Sequence, residues 1–218
     1  MDLDRRHFIG AAAAVSAAAC GTALLARSGV ARHAASTAKP APKPVPAAAK
    51  QAEQPTLLRN AVAALDHHGI RQRDLVGLVD FSAHSSKRRF QLVDLAGGSI
   101  LGAYLVAHGK GSDPHNTGWL HRFSNEPGSN ASSQGSFMTG EKYFGEHGAS
   151  RRLIGLDPDN NQALSRAIVL HGASYVDHQL IEAQGHIGRS LGCFAVGEHL
   201  IGEVMERLGA GRLLFAAK

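Results

Sequence analysis

Apolar and polar positions fall into two patterns along the chain after residue 55. Residues 56–68 (TLLRNAVAALDHH) place Leu58, Ala61, Val62 and Leu65 at helical spacing, with Thr56 able to cap and Gly69 able to stop. One short helix is predicted there. From Leu75 the spacing shortens to that of strands: 75–82 (LVGLVDFS), 89–95 (RFQLVDL) and 100–107 (ILGAYLVA) are β-branched or alternating runs broken by turn residues. Gly97-Gly98 reads as a tight hairpin between the second and third. Further strands are predicted at 135–140, 167–171 and 212–216. Between the last two, 197–208 carries Leu200, Ile201, Val204, Met205 and Leu208 on one helical face. The expectation is a mainly β, mainly antiparallel domain with a few short helices.

The first 55 residues have neither pattern. Asp4-Arg5-Arg6-His7-Phe8-Ile9 precedes an Ala-rich, weakly apolar run over 10–26, the form of a twin-arginine export signal ending near Gly29-Val30-Ala31. Residues 36–55 hold five prolines among alanines and lysines, an extended solvated spacer. The predicted organisation is an export signal over 1–31, a linker over 32–55, a helical lead-in over 56–74 and one folded domain over 75–218. The expected compartment is the periplasm or cell-wall space, with membrane contact only through the signal if it stays uncleaved.

Charge changes the picture by subtraction. The chain carries a net +5, but residues 1–54 hold seven Lys/Arg against three acidic residues. The remainder has 16 basic and 15 acidic side chains, a net of +1. No basic stripe interleaved with aromatics is left to bind nucleic acid.

The two cysteines are Cys20, inside the predicted signal, and Cys193. A single thiol in an exported domain has no disulfide partner and is either buried or used. Its flanks, Gly188-Arg189-Ser190-Leu191-Gly192-Cys193-Phe194-Ala195-Val196, favour use. Gly192 lets the backbone pass close to a substrate, and N–H groups at Gly192 and Cys193 are placed to hold an oxyanion. His171-Gly172 stands at the end of an apolar strand, where His171 can take the thiol proton and Ser190 can orient the imidazole. His178, His186 and His199 lack the spacing of a zinc site, so no metal or other cofactor is expected. Residues alone thus point to a Cys–His acyl-transfer site.

Several ordered blocks resemble one family. Val79-Asp80-Phe81-Ser82, the run from Val106 to Ser112, the run from Phe123 to Ser129, and Ser132-Ser133-Gln134-Gly135-Ser136-Phe137 lead to His171-Gly172 and to the cysteine turn. This is similar to the catalytic domain of YkuD-like L,D-transpeptidases, over about residues 75–215. The resemblance implies a β-sandwich and a cell-wall enzyme acting on peptidoglycan stem peptides. In that family the cysteine attacks a tetrapeptide stem, D-alanine leaves, and the thioester passes to an amine, giving a 3→3 cross-link. Carried over, Cys193 is the nucleophile, His171 the base, Ser190 the serine three residues before the cysteine, and Gly192 lies beside the oxyanion hole. The usual Ser-His-Gly-Cys-Ile/Val-Arg has Leu191 in place of its histidine and Ala195 in place of its arginine. Arg189 is the candidate to supply that missing cation, and Gly172, His108 and Lys110 are candidate substrate contacts. The same site using water would be an L,D-carboxypeptidase. A wall-binding domain that keeps the fold without catalysis is the third reading.

Overall fold

The computed structural model describes residues 55–218. The predicted export signal and linker therefore lie outside the described residues, Pro55 apart. Helix α1 (Pro55–His67) precedes strands β1 (Leu75–Asp80), β2 (Phe90–Asp94) and β3 (Ile100–Tyr104). A single 3₁₀ turn, Lys110–Ser112, leads to β4 (Gly135–Gly145), β5 (Gly148–Gly155) and β6 (Val169–Ala173). Helix α2 (His178–Gln184), β7 (Phe194–Gly197), α3 (Ile201–Arg207) and β8 (Leu213–Ala217) complete the chain.

All eight strands join one sheet in the order β3-β2-β1-β8-β4-β5-β6-β7. Only β1·β8 and β6·β7 are parallel; the other ladders are antiparallel. The sheet does not lie flat. Phe81, directly after β1, and Phe194 on β7 are five strand spacings apart in the order, about 24 Å in a flat sheet. Their rings nevertheless sit 5.8 Å apart. The two ends meet where the chain leaves β3: Ala107 bridges to Ala195 and Gly109 to Ser190. Folding the sheet over produces the layered β architecture that the strand-rich pattern predicts, with Phe81, Phe90, Phe137, Leu170 and Phe194 filling its interior.

Strand β1 is buried on both faces, which explains its continuous apolar run. Val76 and Leu78 meet α1, while Leu75 and Val79 face the interior. The helix buries Leu57, Ala61, Ala64 and Leu65 against them. Its inward face is thus rotated from the predicted one: Val62 is exposed, and Leu57, Ala64 and Leu65 turn inward in an i, i+7, i+8 stripe. Gly69, at φ +60°, ends the helix as expected.

Two elements near the site escape the hydrophobic pattern. Strand β5 (GASRRLIG) holds two arginines, yet Arg151 is buried with its guanidinium donating to the carbonyls of Gly140 at 2.7 Å and Met205 at 3.0 Å. Hydrogen bonding offsets the cost of taking that charge from water. Helix α2 begins at Asp177, whose carboxylate accepts from the Gln179 N–H at 2.7 Å.

Candidate active site

Strands β6 and β7 run side by side and parallel, with Leu170 opposite Phe194 and His171 opposite Ala195. Residues two apart on a strand share a face. His171 therefore shares its face with Val169, the residue whose N–H acts on the Cys193 thiol, and Cys193 directly precedes β7.

The ring of His171 is only 2 % exposed, with Nδ1 2.9 Å from the Gly172 carbonyl. With Nδ1–H donating to that oxygen, the proton-free nitrogen is Nε2. Burial lowers the imidazole's pKa from its ordinary value; the Gly172 carbonyl opposes this, and nearby His147 adds to it. His147 stacks on His171 with centroids 4.4 Å apart. Burial raises the Cys193 thiol, while the Val169 N–H and the Arg166 charge oppose it. Its Sγ lies 3.6 Å from the Ala167 carbonyl. At neutral pH the thiol is therefore protonated and the imidazole neutral.

Ser190 has a different task from the one expected. Its hydroxyl donates to the Cys193 carbonyl at 2.7 Å and accepts from the Gly192 N–H at 3.1 Å. Gly172, through its carbonyl, orients the imidazole in its place, and Ser190 closes the turn that carries Cys193. The Gly192 N–H is thus spent on Ser190.

Gly192 has φ +117°, and a Cβ there would lie 2.7 Å from the Ala131 carbonyl and 2.9 Å from Ile168 Cδ1. Gly109 lies against the same turn: a Cβ on it would overlap the Asn130 carbonyl and lie 2.8 Å from the Gly192 nitrogen. These glycines let three backbone segments meet at the cysteine. Lys110 donates its main-chain N–H to the Ser190 carbonyl at 2.8 Å, and its side chain is exposed. Arg189 donates through Nη1 to the Asp113 carbonyl.

His108 faces inward. It is 1 % exposed, and Nδ1 accepts from Arg89 at 2.7 Å. Arg89, itself buried, also donates to the carbonyls of Ala83 and Val106. Burial lowers its pKa to about 9 against the opposing charges of Asp80 and Asp113. Asp113 Oδ2 lies 3.4 Å from His108 Nε2, and the carboxylate accepts from the N–H groups of Thr117 and Gly118. Burial pulls Asp113 up, but those donors hold it below the ordinary value. His108 is thus a support beneath the 108–113 loop rather than a surface contact.

That cluster predicts acid lability. Burial, followed by Arg89, pushes His108 down to about 3, with Asp113 opposing and Arg189 adding to the push. An unfolded histidine takes a proton near pH 6.5. The unfolded chain therefore binds more protons below that point, and stability falls by up to about 1.4 kcal/mol per pH unit. Thermal melts from pH 7 to 4 are expected to show this loss, and His108→Asn, whose amide oxygen can still accept from Arg89, is expected to flatten it. His171 contributes with the same sign; Asp113, held below its ordinary value, adds a loss of the same sign that begins only at the acid end of this window.

Three residues join the site without a signal in the sequence. Arg166 sits in the β5–β6 turn, in a polar stretch that reads as solvated loop. His147 belongs to the β4–β5 hairpin turn. Tyr175 is pushed up to about 12 by burial and then by Cys193, so its phenol stays neutral. A cleft of about 480 Å³ opens beside His171, lined by His147, Gly172, Tyr175, Glu146 and Glu198.

No curated protein matches the chain. Among solved structures, an L,D-transpeptidase from Mycobacterium smegmatis is 12 % identical at a TM-score of 0.40, over 66 % of this chain and 59 % of that one. One from Xylanimonas cellulosilytica is 16 % identical at 0.41, over 72 % and 68 %. L,D-transpeptidase 3 from Mycobacterium tuberculosis is 12 % identical at 0.43, over 66 % and 60 %. The chain thus spans less than two thirds of the length of two of these three. A family model for the L,D-transpeptidase catalytic domain matches residues 49–217, most of the chain and both halves of the site. On that match, the protein belongs to the L,D-transpeptidase catalytic domain family.

Proposed function

We propose that the protein is an exported peptidoglycan L,D-transpeptidase working through a Cys193 thioester. The observation that supports this reading most is the parallel β6–β7 pairing, which holds His171 beside the strand that Cys193 precedes, with the imidazole's Nδ1 tied to the Gly172 carbonyl. His171 Nε2 takes the thiol proton as sulfur attacks the carbonyl that precedes the terminal D-alanine of a tetrapeptide stem. The Cys193 N–H holds the resulting oxyanion. Collapse breaks the C–N bond, and the imidazolium returns its proton to the departing D-alanine amine. An amine on a neighbouring stem then gives up a proton to Nε2 and attacks the thioester. The new amide forms as sulfur leaves and is reprotonated. The twin-arginine and linker pattern of residues 1–55 supports work outside the cytoplasm, where that substrate lies.

The test is intact mass and product analysis after incubation with a tetrapeptide muropeptide and, separately, with a carbapenem as surrogate acyl donor. An acyl adduct, released D-alanine and a cross-linked dimer are expected. D-Alanine release with only trimmed monomer would make the protein a carboxypeptidase, with water taking the acceptor's place. Folded protein with neither adduct nor turnover would leave the wall-binding reading.

A further inference from the structure

Arg166 is absent from every motif read in the sequence, yet it is among the most constrained side chains beside the thiol. Its Nη1 donates to the Ser124 carbonyl and to Ser133 Oγ, both at 2.7 Å. Its Nη2 donates to the Ala131 carbonyl at 2.6 Å and to Ser129 Oγ at 3.2 Å. Those contacts use all four terminal N–H bonds, so no free fork remains to clamp a substrate carboxylate. What the group still offers is charge, fixed in place.

The place is set from two sides. Ala167, the next residue, is held at φ +53° and turns its carbonyl to within 3.6 Å of Cys193 Sγ. Ala131, whose carbonyl Arg166 holds, is the residue against which Gly192 packs. The guanidinium therefore links the two segments that bracket the nucleophile. A carbonyl oxygen beside a sulfur favours S–H, as does burial, so a thiolate forming here needs an opposing charge. Of the other titratable groups around the site, Tyr175, which interacts with the sulfur, is a neutral phenol, and His171 on the neighbouring strand is neutral at rest; Glu126 faces Arg166 itself. None of these supplies a standing positive charge.

We propose that Arg166 is a positioning residue for Cys193: a permanently charged guanidinium, locked by four hydrogen bonds into the Ser124–Ser133 loop, that stabilises the sulfur anion during attack and again when the thioester breaks. The proposal rests on Cys193 being the nucleophile but not on the identity of the acyl donor.

The test is the pH dependence of iodoacetamide alkylation of the full chain, followed at Cys193 by peptide mass mapping so that Cys20 is not counted. Arg166→Met and Arg166→Gln remove the charge and are expected to move the ionisation midpoint up by about one pH unit, which slows alkylation about tenfold at pH 7. Both should converge with the wild type once the thiol is fully ionised. Arg166→Lys is expected to keep the midpoint while loosening the loop. Ser129→Ala combined with Ser133→Ala removes two of the ties and keeps the charge, and is expected to leave the midpoint in place. An unchanged midpoint in the charge-free variants would overturn the proposal, as would an equal shift in the serine pair. Loss of fold in both charge-free variants would make Arg166 a structural tie and overturn it as well. Alkylation needs no wall substrate, so failure here leaves the transpeptidase reading standing, and failure of transpeptidation leaves this result readable.

Discussion

Cys193→Ala and His171→Gln are expected to lose acylation in different ways. Without the sulfur no adduct forms at any pH, because the thioester has no atom to form on. With sulfur but no base, acylation at pH 7 is expected to fall by a factor on the order of 10² to 10⁴, the usual worth of a positioned general base. The size of that loss follows from the resting protonation state. Burial raises the Cys193 thiol and lowers His171, so at pH 7 the pair is S–H and neutral imidazole, not thiolate and imidazolium. The proton must move during attack, and the glutamine amide cannot take it. As the pH climbs through the thiol's raised value, sulfur ionises without help and the gap between variant and wild type should narrow. Single-turnover acylation followed by intact mass from pH 6 to 10 reads both effects. A His171→Gln protein that matches the wild type at pH 7 would remove His171 from the base role.

Much of this site was legible because its parts depend on local chemistry. A glycine before a lone cysteine, and a histidine ending an apolar strand, need no tertiary information to be noticed. The strand expected over 167–171 forms two residues later, at Val169–Ala173, because Ala167 takes a left-handed turn at φ +53°. His171 therefore sits within β6 and not at its end, and the pairing of β6 with β7 had no sequence signal. The supporting groups were hidden for the opposite reason. Arg151, in β5, reads as polar and so as turn or surface, yet three-dimensional carbonyl contacts bury it. Arg166 has the same character: a solvated arginine by sequence, a fixed charge once Ser124–Ser133 folds across it. His108 was noticed as a candidate substrate contact, since a histidine in a Gly-rich loop gives no sign of the buried Arg89 beneath it. Ser190 was placed correctly and given the wrong partner, because a serine three residues before the cysteine reaches the cysteine's own carbonyl before it reaches any ring. Sequence patterns single out Cys193 and His171 as candidates; the groups that shift their pKa values come from long-range packing.

The same packing makes Gly192→Ala the second large loss expected, and for two separable causes. At φ +117° any side chain strains the backbone, typically by about 1–3 kcal/mol. The added Cβ would also lie 2.7 Å from the Ala131 carbonyl, an atom that cannot retreat because Arg166 Nη2 holds it at 2.6 Å. Relief must therefore come from the other side, by displacing the turn that carries Cys193 and its N–H. A shift of about 1 Å in a reacting group is enough to cost on the order of 10² in rate. Gly98→Ala in the β2–β3 hairpin separates the causes. Gly98 also has positive φ, +65°, but a Cβ there meets nothing within 4 Å. It should lower the melting temperature through strain alone and leave acylation at the wild-type rate. Gly192→Ala should lower both, with the rate falling by far more than a change in folded fraction explains. Equal activity in the two variants would mean that the cysteine turn tolerates displacement, and that the close meeting of Gly192 with Ala131 does not set the geometry of attack.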